Sequence, residues 1–395
     1  WLLNIRGRDV PHTPLVQSLA IMYHDSRVDL FLRETHISQN ILKFLGPNLK
    51  IYDETSFLEI TKKLINKKIQ IDPTTLPIAI YRELKNNSQE IIKAVDPCIL
   101  PKSIKNTIEI KGSKAAHILD GSAFANFLHW FDTFKDKSNL DEIQIVKKLE
   151  KFRHATGFLK EISFDSICGS GAHGAIVHYR VNFKTNRKIL PTDLLLIDSG
   201  GQYKNGTTDI TRTIAVGKPT ELMIDCFTRV LKGLIAISEL QWPEGLAGKD
   251  IDSLARVALW AEGLNYDHGT GHGIGSYLSV HEGPQGISKN NEVPLQSGML
   301  ISNEPGYYKA DEFGVRIENV LLIKDSIMKK NKKNKMLQFE TLTLAPIDKN
   351  LINVQLLNSS EKHWLNSYHK MVKDKIAPLV SQSVRLWLIK MCKPI

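Results

Sequence analysis

Five side chains in the second half of the chain are of the types that hold divalent metal ions: Asp198, Asp209, His272, Glu304 and Glu318. Asp198 ends the apolar run Leu194-Leu195-Leu196-Ile197, and Asp209 follows the turn-rich stretch from Gly200 to Gly206. With a turn centred near Tyr203-Lys204, the two runs form a hairpin that sets residues 198 and 209 directly opposite, ~5 Å apart on one face. Glu304 and Glu318 each stand in a further apolar run, Gly298–Pro305 and Gly314–Val320. His272 lies in Asp267-His268-Gly269-Thr270-Gly271-His272-Gly273-Ile274-Gly275, where glycines allow close backbone approach. Four acids carried inward on apolar strands repel one another and are costly to desolvate unless cations compensate. Two divalent ions balance the four negative charges. Oxygen-rich ligation with one imidazole suits Mn²⁺, Co²⁺ or Zn²⁺ and does not choose among them. Two such ions ~3.5–4 Å apart acidify a shared water and polarise the carbonyl it attacks, which is hydrolase chemistry.

Three more histidines and one arginine accompany these ligands. His178 lies in Ala175-Ile176-Val177-His178-Tyr179, His268 precedes His272 on the glycine-rich phrase, and His281 lies in Val280-His281-Glu282-Gly283-Pro284. A lone histidine is more often structural than catalytic, but three beside an acidic cluster exceed chance. Arg316 shares strand parity with Glu318, so it serves either as a clamp for a substrate carbonyl or carboxylate or as half of a structural ion pair.

These residues need elements to position them. Residues 1–97 alternate short β-rich runs, Val28–Leu32 and Lys50–Tyr52, with a helical pattern over Leu58, Ile60, Leu64 and Ile65, which describes a small α/β unit. The prolines of Asp96–Pro101 break helix and ladder alike and mark a boundary near residue 97. Residues 98–346 open with two helical patterns, one through Phe124, Phe127, Leu128 and Phe131 and one through Ile145, Val146, Leu149 and Phe152. Strands then dominate: Ala175–Val181, Asp193–Ser199, Thr207–Val216, Gly298–Asn303, Gly314–Ile323 and Phe339–Pro346, with helices at roughly 220–240 and 250–262. Residues 347–395 form a helical extension. Segregated helices and antiparallel strands define an α+β architecture.

The 395 residues suffice for two or three domains at ~150 each. With 42% hydrophobic and 24% charged residues, the composition excludes a disordered tail, a fibre or a membrane bundle. The net charge of +10 raises nucleic acid or an anionic membrane as partners. The basic run Lys329–Lys335 has no interleaved aromatics, however, and reads as a solvated hairpin loop. No nucleic acid or membrane partner is expected. Cys98, Cys168, Cys226 and Cys392 form no C-x-x-C pair, which fits a reducing, cytoplasmic compartment. The chain opens directly on a strand-like phrase, Trp1–Gly7, and reads as a fragment missing its front.

The order Asp198, Asp209, His272, Glu304, Glu318, with His-Gly-Thr-Gly-His-Gly, Val-His-Glu-Gly-Pro, Asn-Glu-Pro-Gly-Tyr-Tyr and Arg-Ile-Glu-Asn, resembles the pita-bread metallopeptidases. Within them it is similar to the large, three-domain aminopeptidase P type, the Xaa-Pro aminopeptidases, over nearly the whole chain. The resemblance implies a creatinase-N-like first unit with its front absent and a pita-bread catalytic domain. It implies two Mn²⁺ ions, with Asp198 and Asp209 on one, and with Asp209, His272, Glu304 and Glu318 completing the site. It gives Glu304 the role of general base, sets His178, His268 and His281 around the scissile carbonyl and flanking peptide, and puts Arg316 near the substrate backbone. His178 and His281 then join Glu304 as catalytic residues. The implied reaction is hydrolysis of the N-terminal Xaa-Pro bond by a metal-bridged hydroxide, in a homodimer acting on peptides with proline second. Prolidase, methionine aminopeptidase and a non-catalytic peptide-binding protein share the scaffold and stand as alternatives.

Overall fold

The computed structural model describes residues 1–33, 37–86, 90–326 and 335–395. The core of the lysine run, Lys329–Asn334, lies outside the described residues, so the hairpin-loop expectation there is not addressed. The chain divides into two compact units, Trp1–Lys102 and Ser103–Ile395.

The first unit pairs Leu19–Met22 antiparallel with Val28–Leu32, which pairs parallel with Leu49–Asp53. Lys68–Ile71 and Glu90–Lys93 form a second, parallel pair. Phe31 anchors the core, stacked on Tyr52 at 5.4 Å and edge-on to Phe57 at 4.9 Å, with Ile71, Ile80 and Leu84 around them. The opening phrase is not a strand: Asn4, at φ 50°, donates its N–H to Trp1 O and closes a turn. Among the described residues this phrase joins no strand ladder.

The second unit is α+β, as expected. Its helix Thr107–Thr133 starts from a capping box in which Asn106 and Glu109 satisfy each other's backbone N–H. Phe124, Phe127 and Phe131 of that helix pack with Ile145 and Leu149 of the helix Glu142–Ala155, both against the strand residues Leu195 and Ile197. Leu194–Ser199 is the middle strand of an antiparallel trio between Ile167–Ser170 and Ile210–Ala215. A second antiparallel sheet runs in the order Gln241–Pro243, Met336–Thr341, Asn319–Asp325, Leu300–Asn303. The helices Ser359–Ile376 and Gln382–Met391 bury Leu365, Tyr368, Val372 and Leu388 in the same core as the helix Glu221–Ser238. Among the described residues, no helix is long and apolar enough to cross a membrane.

Several elements differ from their sequence expectation. Ala175–Val181 is not a strand. Residues 171–175 form a 3₁₀ turn, and Ile176 N–H and Tyr179 N–H close further turns onto His173 O and Ile176 O, so its β-branched residues pair with nothing. The helix at 250–262 is three short pieces, Gly248–Ile251, Asp252–Ala255 and Val257–Trp260. The strand at Phe339–Pro346 ends at Thr341, because Val320 N–H next bonds the Thr343 side chain instead of a backbone carbonyl.

The hairpin register also moves. Gly206 faces Tyr203, so the turn centres on Lys204-Asn205, and Asp198 faces Thr211 rather than Asp209. A one-residue shift of the turn centre moves the partner by two residues and so keeps the same face.

His369 is fully buried, accepts the Ile347 N–H at its Nε2 (3.1 Å), and is pushed down to about 3 by burial. The unfolded chain, titrating near ~6.5, therefore takes the proton first as pH falls. This stability is intact above pH ~6.5 and is lost progressively towards pH 3. At pH 5 the loss amounts to ~2 kcal/mol. Thermal melts at pH 7 and pH 5 should show a smaller difference for His369→Gln than for the native chain; an equal difference would contradict this.

Candidate metal centre

Three of the acids sit where strands stop or break, while Asp198 lies within Leu194–Ser199. Asp209 falls between Gly206–Thr207 and Ile210–Ala215, Glu318 between Phe313–Arg316 and Asn319–Asp325, and Glu304 just past Leu300–Asn303. A carboxylate at such a break leaves the ladder without disrupting it. His272 is in the two-residue strand Gly271–His272, paired with Gly286–Ile287. A Cβ on Gly271 would lie 1.9 Å from Ser302 O, and one on Gly273 would lie 2.1 Å from Glu282 O. Only glycine lets this backbone settle against its neighbours.

Asp198, Asp209, His272, Glu304 and Glu318 line one cavity of about 470 Å³, together with His178, His268, His281 and Arg316. Ligand atoms of Asp209, His272 and Glu318 lie within 4.8 Å of one another. His272 Nδ1 donates to Gly273 O (3.0 Å), which leaves the Nε2 lone pair directed at Asp209 Oδ2 (3.6 Å) and Glu304 Oε1 (3.4 Å). Asp198 is engaged from behind by Arg316 Nη2 at 2.8 Å. The Oδ1 atoms of Asp198 and Asp209 are buried without a hydrogen-bond partner.

Burial, then the charges of Asp198 and Glu304, hold the Asp209 carboxyl well above its ordinary range. Burial, then Asp209 and Glu304, do the same to Glu318, and burial first of all raises Glu304 to about 8. Burial and His281 push His272 down to about 3. Carboxylates that resist ionisation, an imidazole held neutral and two orphaned acid oxygens together fit a site for cations, which would satisfy those atoms and let the acids ionise.

Arg316 spends its donors within the protein. Nε reaches Thr211 Oγ1 (3.3 Å), Nη1 reaches Tyr308 Oη (2.7 Å) and Nη2 reaches Asp198. Thr211 in turn donates to Glu318 Oε2 at 2.9 Å, so one guanidinium braces two acids. His268 Nδ1 donates to Gly269 O, so Nε2 accepts from Tyr308 O–H at 2.9 Å, and burial lowers the ring to about 4. His281 stands edge-on to His272, with centroids 4.1 Å apart. His178 lines the outer wall.

The sequence reading missed the supports. Ser302 Oγ accepts His272 N–H and donates to Glu304 Oε1, and it lies two residues before Glu304 on the same strand face. Arg256 binds Asp252 through two nitrogens, donates to Tyr266 O and His268 O, and covers the Tyr266 ring at 3.8 Å. That network shapes the loop bearing His268 and His272. Neither Tyr308 nor Arg256 was singled out, although Tyr308 lies in the Asn-Glu-Pro-Gly-Tyr-Tyr phrase and Arg256 follows Asp252 at the i,i+4 spacing of a helical ion pair.

The sequence pattern of metallopeptidase family M24 matches residues 111–325, that of the family's C-terminal region matches 335–395, and that of the creatinase/prolidase N-terminal domain matches 1–109. The chain belongs to metallopeptidase family M24, with its pita-bread fold. It is 40% identical to Xaa-Pro aminopeptidase 1 of Dictyostelium discoideum and 39% identical to aminopeptidase P2 of Arabidopsis thaliana, each over 100% of this chain and over 64% and 60% of the relative. Its structure superposes on that of an X-prolyl aminopeptidase from Caenorhabditis elegans, a cytosolic enzyme with a di-nuclear active site, with TM-score 0.93 and 31% identity over 100% of this chain and 66% of that one. A prolidase from Pyrococcus furiosus matches with TM-score 0.64 and 27% identity over 80% of this chain and 87% of that one. The chain thus spans a little under two thirds of the length of the Dictyostelium and Arabidopsis relatives.

Proposed function

We propose that this chain is a metal-dependent aminopeptidase that removes the N-terminal residue from peptides with proline in second place. The observation that carries the reading is the convergence of four acids and one imidazole in a single cavity, in a chain similar over its whole length to Xaa-Pro aminopeptidases. Asp198, Asp209, His272, Glu304 and Glu318 would hold two divalent ions, Mn²⁺ by preference. Such ions, when bound, supply an acidified water and Lewis-acid polarisation of the scissile carbonyl.

The protein side of the mechanism follows from the hydrogen bonds. Glu304, oriented through Ser302, takes the proton of the attacking water at a carboxylate oxygen and acts as general base. His281 and His178 face the carbonyl and the leaving nitrogen as donors. Neutral His268, fixed by Gly269 O and Tyr308, forms a wall for the flanking peptide. Arg316 acts on substrate through Asp198 and Tyr308, which it holds in place. Val177, Ile167 and Val280 give the apolar surface a pyrrolidine ring requires. A dedicated site is needed because the tertiary amide before proline lacks an N–H and is crowded by the ring. A cytoplasmic location agrees with four free thiols and with the cytosolic nematode relative; a homodimer is the assembly we expect.

Metal analysis together with hydrolysis of an Xaa-Pro-Xaa tripeptide tests the reading. The expected result is about two Mn²⁺ per chain, release of the first residue, and loss of both activity and several degrees of Tm on chelation. A folded sample that takes up no ion, or that cleaves only Xaa-Pro dipeptides, would overturn it.

A further inference from the structure

The cavity deepens from an exposed rim to a buried floor: Asp165 and Arg180 at its mouth are exposed, while Asp209 and Glu318 at its base are nearly inaccessible. Under the aminopeptidase reading, on which this inference rests, the bond to be cut lies at the floor. Only one residue precedes that bond, so the rest of the peptide must leave towards the rim. Arg180 Nη1 lies 3.2 Å from Asp165 Oδ2, and both side chains are more than half open to solvent, at 76% and 52%. An exposed pair of this kind contributes little to stability and is readily exchanged for another carboxylate.

The segment holding Arg180 is itself well fixed. Buried Tyr179 donates its hydroxyl to Glu142 Oε2 (3.0 Å) and lies 3.1 Å from Thr185 O. Glu142 also accepts Ser170 N–H and lies 2.9 Å from His173 Nδ1. With Tyr179 turned inward, its neighbours His178 and Arg180 both line the cavity. The first carbonyl of a tripeptide and its terminal carboxylate lie at most ~7 Å apart, and Arg180 lines the same cavity as the metal-ligand set.

We propose that Arg180 is a specificity-determining residue that receives a carboxylate two residues beyond the scissile bond, with Asp165 competing for the same guanidinium. The chain therefore favours short peptides with a free C terminus. An acidic side chain at the third position offers the same chemistry.

The test compares three peptides that share an Xaa-Pro start: one ending in alanine with a free acid, its C-terminal amide, and an amide ending in glutamate. KM and kcat are measured on the Mn²⁺-loaded native chain, and Kd by calorimetry on Glu304→Gln at saturating Mn²⁺, where turnover is expected to be slow enough to read binding alone. The native chain should prefer the free acid over the alanine amide about five-fold in KM and Kd, with little difference in kcat. Arg180→Gln should bring that ratio to about one, and Asp165→Asn should widen it beyond the native value; raising the ionic strength should shrink it. Preference for the glutamate amide over the alanine amide would also support the proposal and assign the source to the side chain. A ratio unmoved by Arg180→Gln, or both substitutions acting in the same direction, would overturn it. Should the native chain cleave none of the peptides, the aminopeptidase reading fails, while the Kd series still decides the role of Arg180.

Discussion

Glu304→Gln is expected to lower kcat for an Xaa-Pro-Xaa peptide by at least ~10³-fold while the chain stays folded. The substitution keeps the shape of the side chain and its place beside Ser302 Oγ and His272 Nε2. It removes a proton acceptor and an anionic ligand together, so both base strength and ion affinity fall. Folding should not suffer. In the metal-free chain the Glu304 carboxyl, raised to about 8 by burial and by Asp198 against the opposing pull of Arg316, opposes folding at neutral pH once the unfolded chain can ionise it freely. The chelated variant should therefore melt no lower than the chelated native chain. Near-normal turnover, or a collapsed melting curve in the chelated variant, would show that Glu304 has been given the wrong role.

Arg212→Met is expected to cost ~4 kcal/mol and to lower the Tm of the second unit by about 10 °C. Arg212 is buried in the strand next to Asp209, and its bonding is unusual for an interior cation. Nε donates to Pro346 O. Nη1 donates to Thr211 O and Glu318 O, and Nη2 to Asn319 Oδ1, Ala345 O and Tyr368 Oη. All six acceptors are neutral oxygens. One guanidinium thus joins the break at Glu318 and the strand Asn319–Asp325 that follows it, the segment after Thr341 and the helix Ser359–Ile376. Truncation to Met takes donors away from Pro346 O and Glu318 O, both buried, and breaks the bonds to Asn319, Ala345 and Tyr368, and this drives the loss. Arg212→Lys, which can satisfy only some of them, should fall between. Calorimetric melts check the order; a Met variant within 1 kcal/mol of native, on the order of a surface substitution, would contradict it.

The candidate site was largely legible as residue types. Lone acids in apolar runs, a histidine among glycines and repeated histidine-bearing phrases point to one cation-binding cavity before any coordinate is seen, because burying charge demands compensation wherever it occurs. Part of the strand order was legible because apolar runs such as Leu194–Ser199 and Leu300–Asn303 are local features, but Ala175–Val181 carries the same kind of β-branched run and forms turns instead. The supports were not legible. Ser302 acts on His272 30 residues away, Tyr308 on His268 40 residues away and Arg212 on Tyr368 156 residues away, and no local pattern encodes such distances. Arg316 shows the limit well: parity placed it beside Glu318, but only the fold revealed that its nitrogens are spent on Asp198, Tyr308 and Thr211.

What the amino-acid order determined alone was which groups face inward and what charge they bring. What the tertiary structure decided was where along each strand those groups meet. A hairpin whose turn slides by one residue keeps every side chain on its face, so the sequence is nearly silent between Asp198 facing Asp209 and Asp198 facing Thr211. The choice falls to packing and hydrogen bonds from distant strands, which act only after the chain has folded.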